Sequence, residues 1–314
     1  MAFTYDPEFA HLIAAAPELF DVEEAAPGDW HALREMGNTS LAAMASFLPD
    51  VAGITRTDLQ IPGYQDADLA ARLYQRDDAQ SQAALVYVHG GGMVLGSVEV
   101  YDKAVAGYVA ETGVPMLSVD YRLAPEYPHP VPVEDCFAAL RWLHSRAGDY
   151  GIDTLRVGVM GDSAGGGLAA ATAILARDRG VPVARQILVY PMLDDRTVAP
   201  DPELASFATW SYDANRTGWD ALLGERRGTD DVPAAAAPAR AADLAGLAPA
   251  YIEVGGLDIF RAEDVEYARR LGSAGVTTEL HVHPGLPHGF DVIAAGISAA
   301  QRSRADRIRV IQSL

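Results

Sequence analysis

Hydrophobic and polar residues follow two different patterns along the chain. Before about residue 50, apolar residues recur at spacings of three and four, which is typical of amphipathic helices. After about residue 50, short apolar runs of strand length begin, and they soon alternate with longer helical stretches. A repeated order of strand, turn and helix predicts a mostly parallel sheet with helices on both of its faces.

Eight segments have the composition of strands. In chain order they are TRTDLQIPGY, LAARLYQ, AALVYVH, VPMLSVDY, RVGVMGDS, ARQILVYP, PAYIEVGGLD and TTELHVHPG. The first two are joined by a short polar turn, which favours antiparallel pairing. Residues 195–228 are poor in strand signals and interrupt the rhythm as an insertion, and the chain ends in a helical stretch from residue 291. We therefore predict an α/β fold with an eight-stranded sheet flanked by helices.

Length and composition fit one large domain that spans residues 1–314. The chain is 49% hydrophobic and 21% charged, as ordinary globular proteins are. Its formal net charge is −19 and it contains no run of lysine and arginine, so a polyphosphate surface would repel it. We therefore expect no nucleic-acid partner.

The redox and targeting signals are sparse. The single cysteine, Cys136, cannot form an internal disulfide and fits a small buried hydrophobic residue. The N-terminal segment lacks the basic start of a secretory signal, and no charge-free stretch approaches the length of a membrane span. We expect a cytoplasmic protein that has no membrane partner.

The segment VMGDSAGGG contains the pattern G-x-S-x-G at residues 161–165, with Ser163 at its centre. An apolar strand precedes it and a helix rich in alanine and leucine follows. This is the context of a nucleophile elbow, in which a serine sits on a sharp turn between strand and helix. The helix N-terminus would place backbone N–H groups and the positive end of its dipole beside the serine.

Other interpretations of this segment are weaker. A glycine-rich turn without chemistry would contain the same letters. Residues 165–170 loosely match the dinucleotide-binding pattern G-x-G-x-x-A. Against that match, Asp162 and Ser163 occupy the turn after the strand, and the glycines fall inside the first helical turn. A P-loop is excluded because no Gly-Lys-Ser/Thr follows.

A serine nucleophile needs a base, and the base needs an acid that orients it. After a nucleophile elbow, the order along the chain is Ser, Asp or Glu, and His. Asp258 lies just beyond the strand PAYIEVGGLD, and His288 lies in the loop beyond the last strand. Because parallel strands present their carboxyl-end loops at one edge of the sheet, we predict that both residues reach Ser163.

The other carboxylates near strand ends fit structural roles. Asp194 and Asp195 follow a strand but precede the insertion, so they fit residues that position a loop. Glu253 lies inside a strand, and Glu263 and Asp264 fit the first turn of a helix.

Two histidines raise the question of a metal site. His281 and His283 alternate with apolar residues and share one strand face, but the sequence shows no third ligand for a metal ion. We therefore predict neither a metal nor an organic cofactor.

The segment LVYVHGGGMVLGS places Gly90, Gly91 and Gly92 directly after a buried strand. Acyl transfer builds negative charge on the former carbonyl oxygen, and preorganised N–H donors stabilise that charge. Backbone donors need a chain that approaches the substrate closely, which side chains would obstruct. Together with the N–H of Ala164, these glycines predict an oxyanion hole of the HGGG kind.

The sequence resembles the hormone-sensitive-lipase-like branch of α/β-hydrolase carboxylesterases, known as bacterial family IV. The resemblance rests on HGGGMVLGS, VDYRLAPEYPHPVPVEDC, GDSAGGG, GGLDIFRAED and HGF, in that order over about residues 80–290. It implies a catalytic triad of Ser163, Asp258 and His288, with oxyanion donors at the amides of Gly91, Gly92 and Ala164. It also implies a helical cap over the site, which would comprise about residues 1–50 and 196–235.

The chain departs from the family pattern at three places. Met93 stands where an aromatic residue usually follows HGGG, Ala262 replaces the second acid of the D-P-L-R-D-E motif, and His129-Pro130 replaces Phe-Pro. None of these changes removes a catalytic atom, so they bear on the shape of the pocket. The segment DYRLAPE, with Arg122 and Glu126, fits scaffold in which a buried arginine pairs with a carboxylate.

We predict a serine carboxylesterase that hydrolyses small-molecule esters with short to medium acyl chains. Two alternatives stay open: a non-catalytic ligand-binding or receptor protein on the same fold, and an amidase. A receptor would not need all three triad residues. The sequence is compatible with a homodimer.

Overall fold

The structure is a computed structural model that describes residues 3–17 and 24–314. Within these residues the strands are β1 Ile54–Pro62, β2 Asp68–Arg76, β3 Ala84–Val88, β4 Met116–Val119, β5 Val157–Asp162, β6 Gln186–Val189, β7 Ala250–Gly255 and β8 Thr278–His283. The α-helices are α1 Pro7–Ala15, α2 Trp30–Phe47, α3 Asp102–Thr112, α4 Val131–Arg146, α5 Ala164–Asp178, α6 Tyr212–Leu223, α7 Arg261–Ser273, α8 Phe290–Ile293 and α9 Ser298–Gln312. Part of the predicted cap, residues 1–2 and 18–23, lies outside the described residues.

The eight strands form one sheet in the order β1-β2-β4-β3-β5-β6-β7-β8. β1 pairs with β2, and β2 with β4, in antiparallel orientation, whereas all pairs from β4 to β8 are parallel. The predicted fold class and the antiparallel start of the sheet are confirmed.

The core lies on both faces of the sheet. Strands β3, β4, β6 and β7 are buried along their whole length, which explains why their sequences are almost continuously apolar. One face packs against α4 and α5, and the other packs against α3 and α9. No helix of the described chain has the length and apolar character that a membrane crossing requires.

Helix α5 packs unusually close to the sheet, which explains its glycines. A Cβ atom on Gly165 would lie 2.1 Å from the carbonyl oxygen of Val88, and one on Gly167 would lie 2.1 Å from that of Met192. These glycines therefore serve helix packing, and the dinucleotide-binding interpretation loses its basis.

The final helical stretch differs from the prediction. It is divided into α8 and α9, separated by residues 294–297. The break lets α8 follow the loop that carries His288, while α9 returns along the face of the sheet.

Candidate active site

Ser163 lies at the turn between β5 and α5. Its backbone has φ +56° and ψ −122°, a strained conformation for a residue other than glycine. A Cβ on Gly161 would lie 2.3 Å from the carbonyl oxygen of Gly165, so the turn can close only with glycine at that position. This is the geometry of the predicted elbow.

The three predicted triad residues come together at the carboxyl edge of the sheet. Oγ of Ser163 lies 2.9 Å from Nε2 of His288, and Nδ1 of His288 lies 2.7 Å from Oδ2 of Asp258. Asp258 is fully buried, and its other oxygen accepts a hydrogen bond of 2.9 Å from the amide of Phe260. The three side chains form a continuous chain of contacts, which is the arrangement that a nucleophile, a base and an orienting acid require.

The imidazole of His288 lies between two aromatic rings. Tyr190 meets it edge to face at 4.6 Å between centroids, and Phe260 meets it at 5.2 Å with the rings perpendicular. The backbone oxygen of His288 also accepts a hydrogen bond of 2.6 Å from the hydroxyl of Thr209, in the insertion. The ring and its loop are therefore held from several sides.

The glycine loop after β3 lies next to Ser163. Gly91 and Gly92 have φ of +119° and +57°, conformations that favour glycine. Their amides donate to no acceptor within residues 3–17 and 24–314. The amide of Ala164 is the first of helix α5 and has no partner inside the helix. Three backbone donors are thus free to bind an oxyanion.

Neighbouring residues hold this loop in place. The hydroxyl of Tyr121 donates to the carbonyl of His89 at 3.0 Å, and their rings stack at 4.4 Å between centroids. Burial lowers the pKa of His89, which favours the neutral ring. A Cβ on Gly92 would lie 2.6 Å from the indole ring of Trp210, so the insertion covers the loop directly.

Asp162, which precedes the serine, is buried beneath the glycine loop. Tyr87 and Tyr101 donate hydrogen bonds to its carboxylate at 2.7 and 3.0 Å. Burial raises the pKa of Asp162, while the two tyrosine hydrogen bonds oppose the rise. A Cβ on Gly90 would lie 2.6 Å from this carboxylate, so Gly90 is required for the close packing.

A cavity of about 390 Å³ is mainly apolar, and none of the triad residues lines it. Leu41 and Met44 of α2 and the following Leu48 line it together with Asp162, which precedes Ser163, and Tyr190, which contacts His288. Its volume is in the range of small-molecule sites. A larger cavity of about 1100 Å³ lies at the amino ends of the strands, and none of the triad residues lines it.

The other carboxylates near strand ends lie outside the group formed by Ser163, His288 and Asp258. Asp195 pairs with Arg240 and accepts from the amide of Gly228, so it positions the insertion. Glu263 accepts from the amide of Leu193 at 2.6 Å. Asp264 is fully buried, and neither of its oxygens has a hydrogen-bond partner in the described part of the chain.

The arginine of the DYRLAPE segment has its own partner. Arg122 forms a two-pronged pair with Asp135, with both distances 2.8 Å. Glu126 pairs instead with Arg34 of helix α2. The scaffold role therefore divides between two separate ion pairs.

One group of three possible metal ligands occurs among the described residues: Glu279, His281 and Asp306. The sequence alone did not reveal this grouping, because Asp306 comes from helix α9. Arg309 already pairs with both carboxylates of the group, which leaves their charge compensated.

Comparison with known proteins identifies the family. The sequence profile of the alpha/beta hydrolase fold matches residues 85–292. The chain belongs to the α/β-hydrolase family, in its hormone-sensitive-lipase-like branch. This α/β-hydrolase is 38% identical over 254 residues to esterase LipI of Mycobacterium tuberculosis, and the matched region covers 77% of each chain. It is 32% identical over 261 residues to an ethyl acetate hydrolase of Pseudomonas putida, with 82% of each chain covered.

Solved structures agree with this assignment. A bacterial heroin esterase superimposes on the α/β-hydrolase with a TM-score of 0.89 at 35% identity, over 99% of this chain and 98% of the other. The chain is a carboxylic ester hydrolase, and the interpretation as a non-catalytic receptor is not supported.

Several residues of this α/β-hydrolase site were not predicted from the sequence. They are Trp210 over Gly92, Tyr190 against His288, and Thr209 on the carbonyl of His288. Thr209 and Trp210 lie in the insertion, where no regular pattern indicates what a side chain contacts. Tyr190 follows β6 directly, and position after a parallel strand is the signal that could have identified it.

Proposed function

We propose that the chain hydrolyses carboxylic esters with short to medium acyl chains, with Ser163 as nucleophile, His288 as base and Asp258 as orienting acid. The observation that carries the proposal is the chain of contacts from Oγ of Ser163 through His288 to Asp258, at 2.9 and 2.7 Å. The free amides of Gly91, Gly92 and Ala164 lie beside this serine and would form the oxyanion hole.

The reaction follows from these positions. Ser163 attacks the ester carbonyl while Nε2 of His288 takes its proton, and the three amides stabilise the negative charge on the carbonyl oxygen. His288 then gives the proton to the leaving alcohol, which yields an acyl-enzyme. Water, activated by the same histidine, hydrolyses this intermediate. Asp258 fixes the tautomer of His288 and stabilises the imidazolium.

We further propose that about residues 1–50 and 196–235 form the cap. Three contacts support this. Next to α1, the amide of Asp6 donates to the carbonyl of Gly285 at 2.8 Å, in the loop that carries His288. In α2, Asn38 accepts from the amide of Gly96 at 2.9 Å. In the insertion, Trp210 covers Gly92.

The apolar faces of the cap helices are only partly covered. Phe9 of α1 is fully buried, but none of the residues of α2 is, and Phe47 is 84% exposed. Leu41 and Met44 of α2 and the following Leu48 instead line the cavity of about 390 Å³ that Asp162 and Tyr190, the neighbours of Ser163 and His288, also line. This placement puts α2 close to the proposed triad and supports its part in a cap.

A panel of p-nitrophenyl esters with two to twelve carbons tests the proposal. We expect the highest kcat/KM between about two and eight carbons, because each buried CH₂ contributes up to about 0.8 kcal/mol until the space under the proposed cap is full. Emulsified long-chain triglyceride should be a poor substrate. A p-nitroanilide of the preferred acyl group discriminates against the amidase alternative, which requires comparable turnover of ester and anilide.

A further inference from the structure

A buried arginine joins the two elements that carry Asp258 and His288. Arg307 of α9 is 3% exposed. Its Nε donates to Glu253 of β7 at 2.5 Å, and its Nη1 donates to Asp291 at 2.6 Å. β7 leads into the loop with Asp258, and Asp291 lies three residues after His288. One guanidinium therefore contacts a residue on each of the two elements that carry Asp258 and His288.

Tyr190 joins the same cluster to the imidazole ring. Its hydroxyl donates to the other oxygen of Asp291 at 3.0 Å, and its amide donates to the carbonyl of Glu253 at 2.6 Å. Its ring meets His288 edge to face. The backbone of Tyr190 has φ +36°, which is strained for an aromatic residue. The surrounding contacts hold this conformation, so the tyrosine ring has little freedom to move away from His288.

Glu253, at one end of the cluster, has several hydrogen-bond partners. Besides Arg307, the carboxylate accepts hydrogen bonds from Tyr251 at 2.6 Å and Ser303 at 2.9 Å. Burial alone would raise the pKa of Glu253, but the Arg307 charge and the hydrogen bonds lower it to about 2. Burial also opposes the charge of Arg307, yet Asp291 and Glu253 raise its pKa well above the usual value. Glu253 and Arg307 therefore stay ionised inside the protein.

Stability alone does not account for this cluster. Well-packed apolar residues are often as stable as a buried ion pair or more so, because desolvating charges is costly. A backbone hydrogen bond from Leu257 to the carbonyl of Leu286, at 2.9 Å, already joins the two loops. The ion pairs add direction: Arg307 and the Tyr190 hydroxyl both donate hydrogen bonds to Asp291, and the Tyr190 ring contacts the imidazole of His288 edge to face.

We propose that Arg307 is a positioning residue that, through Asp291 and Tyr190, fixes the imidazole of His288 between Asp258 and Ser163. This inference rests on the proposed roles of the triad. Arg307 itself contacts no reacting atom. A misplacement of the ring by about 1 Å would be enough to lower the rate about a hundredfold.

Three variants test the connection at separate points: Asp291→Asn, Tyr190→Phe and Arg307→Lys. Asparagine cannot accept from both Tyr190 and Arg307, because one of its terminal atoms is a donor. Phenylalanine keeps the ring against His288 but loses the hydroxyl. Lysine keeps the charge but cannot reach both carboxylates with a planar fork. Arg72→Lys is the control, since Arg72 of β2 forms a partly buried pair with Asp102 of α3.

Each variant is assayed per active site, with the fraction of competent protein titrated by an organophosphate. We expect kcat of Asp291→Asn and Arg307→Lys to fall about 10- to 100-fold, with KM changed less than about threefold. Tyr190→Phe should lose less, and the double variant Tyr190→Phe/Asp291→Asn should lose no more than Asp291→Asn alone, because both interrupt one connection. Arg72→Lys should keep its kcat per site.

The pH profile separates positioning from mere loss of folded protein. A weaker contact between His288 and Asp258 stabilises the imidazolium less, so the acid limb of kcat/KM should move to lower pH in Asp291→Asn and Arg307→Lys. A smaller folded fraction would lower kcat/KM by the same factor at every pH and would leave the position of the acid limb unchanged. If Arg307→Lys fails to fold, Asp291→Asn and Tyr190→Phe still test the proposal.

The proposal is overturned if Asp291→Asn keeps the kcat per site and the acid limb of the unmodified protein, or if the losses of the two single variants multiply in the double variant. Full activity of Ser163→Ala or His288→Ala would overturn the proposed triad instead. The two failures are therefore distinguishable within one set of variants.

Discussion

The indole ring of Trp210 lies directly against Gly92: a Cβ on that glycine would lie 2.6 Å from Cη2 and Cζ2 of the ring. Gly92 also has φ +57°, which a larger residue adopts only with strain. The insertion and the glycine loop after β3 are thus in contact at a position that tolerates no side chain.

Gly92→Ala should therefore displace a backbone donor of the proposed oxyanion hole. Loss of one such donor costs about 10²- to 10³-fold in kcat, and we expect a loss of this size in steady-state kinetics. Gly180→Ala is the control, because Gly180 has a similar φ of +69° and nothing within 4 Å of the added Cβ. If the two variants lose the same small amount of activity, Gly92 has no role beyond its backbone conformation.

Asp258→Asn should keep the fold but hold the wrong tautomer of His288. We expect kcat to fall by up to about 10⁴-fold, because an amide can donate a hydrogen bond to Nδ1 where the carboxylate only accepts one. Asp194→Asn is the comparison, since Asp194 also follows a parallel strand but pairs with Arg196. A dead Asp194→Asn beside an active Asp258→Asn would mean that the acid is assigned wrongly.

Arg34 ties helix α2 to the loop after HGGG. It donates to the carbonyls of Val94 and Ala124 at 2.5 and 2.7 Å, and it pairs with Glu126. Arg34→Ala should speed amide hydrogen exchange across residues 30–47 and lower kcat/KM for a butyrate ester, because α2 and the glycine loop, the proposed cap and oxyanion hole, lose a shared contact.

Arg146→Ala is the control for that experiment, since Arg146 forms an exposed pair with Asp149 on α4. Such surface pairs contribute little. Unchanged exchange in α2 of Arg34→Ala would show that the helix is held by its other contacts.

Glu263 and Asp264 are neighbouring buried carboxyls. Glu263 accepts hydrogen bonds, whereas Asp264 has no hydrogen-bond partner in the described chain. Burial raises the pKa of Asp264, and the nearby Glu263 raises it further. Asp264→Ala removes a buried group that has no partner in the described chain and should raise the free energy of unfolding by about 1–3 kcal/mol. Glu263→Ala removes the acceptor of the Leu193 amide and should lower it by a similar amount.

The increase in the free energy of unfolding that we expect for Asp264→Ala should also depend on pH. Above about pH 4 the unfolded chain releases the Asp264 proton while the folded protein keeps it, so the parent protein loses stability as pH rises. The advantage of the variant in urea unfolding should therefore be larger at about pH 8 than at about pH 4. A constant or inverted difference would contradict a protonated, buried Asp264.

The parts of the molecule that could be predicted from the sequence are those with strong local signals. The fully buried strands produce apolar runs, and the elbow at Ser163 needs glycines that leave a recognisable pattern. Asp258 and His288 follow from the rule that parallel strands present their carboxyl-end loops at one edge.

The contacts around the triad could not be predicted, because they depend on distant segments. Helix α9 has a charged sequence that suggests an exposed surface, yet Arg307 is buried against Glu253 of β7, 54 residues earlier. The neighbours of Trp210 are set by the path of an insertion with little regular structure. Side-chain partners of this kind are fixed by tertiary packing, which leaves no periodic trace in the sequence.

The identity of the nucleophile is tested most directly by covalent labelling. The protein is treated with a fluorophosphonate, and the labelled peptide is located by mass spectrometry while residual p-nitrophenyl butyrate hydrolysis is followed. We expect one label per chain, on Ser163, with activity lost in proportion to labelling. Ser163→Ala should be folded, unlabelled and at least about a thousandfold less active. A label on another residue, or substantial turnover by Ser163→Ala, would contradict the account.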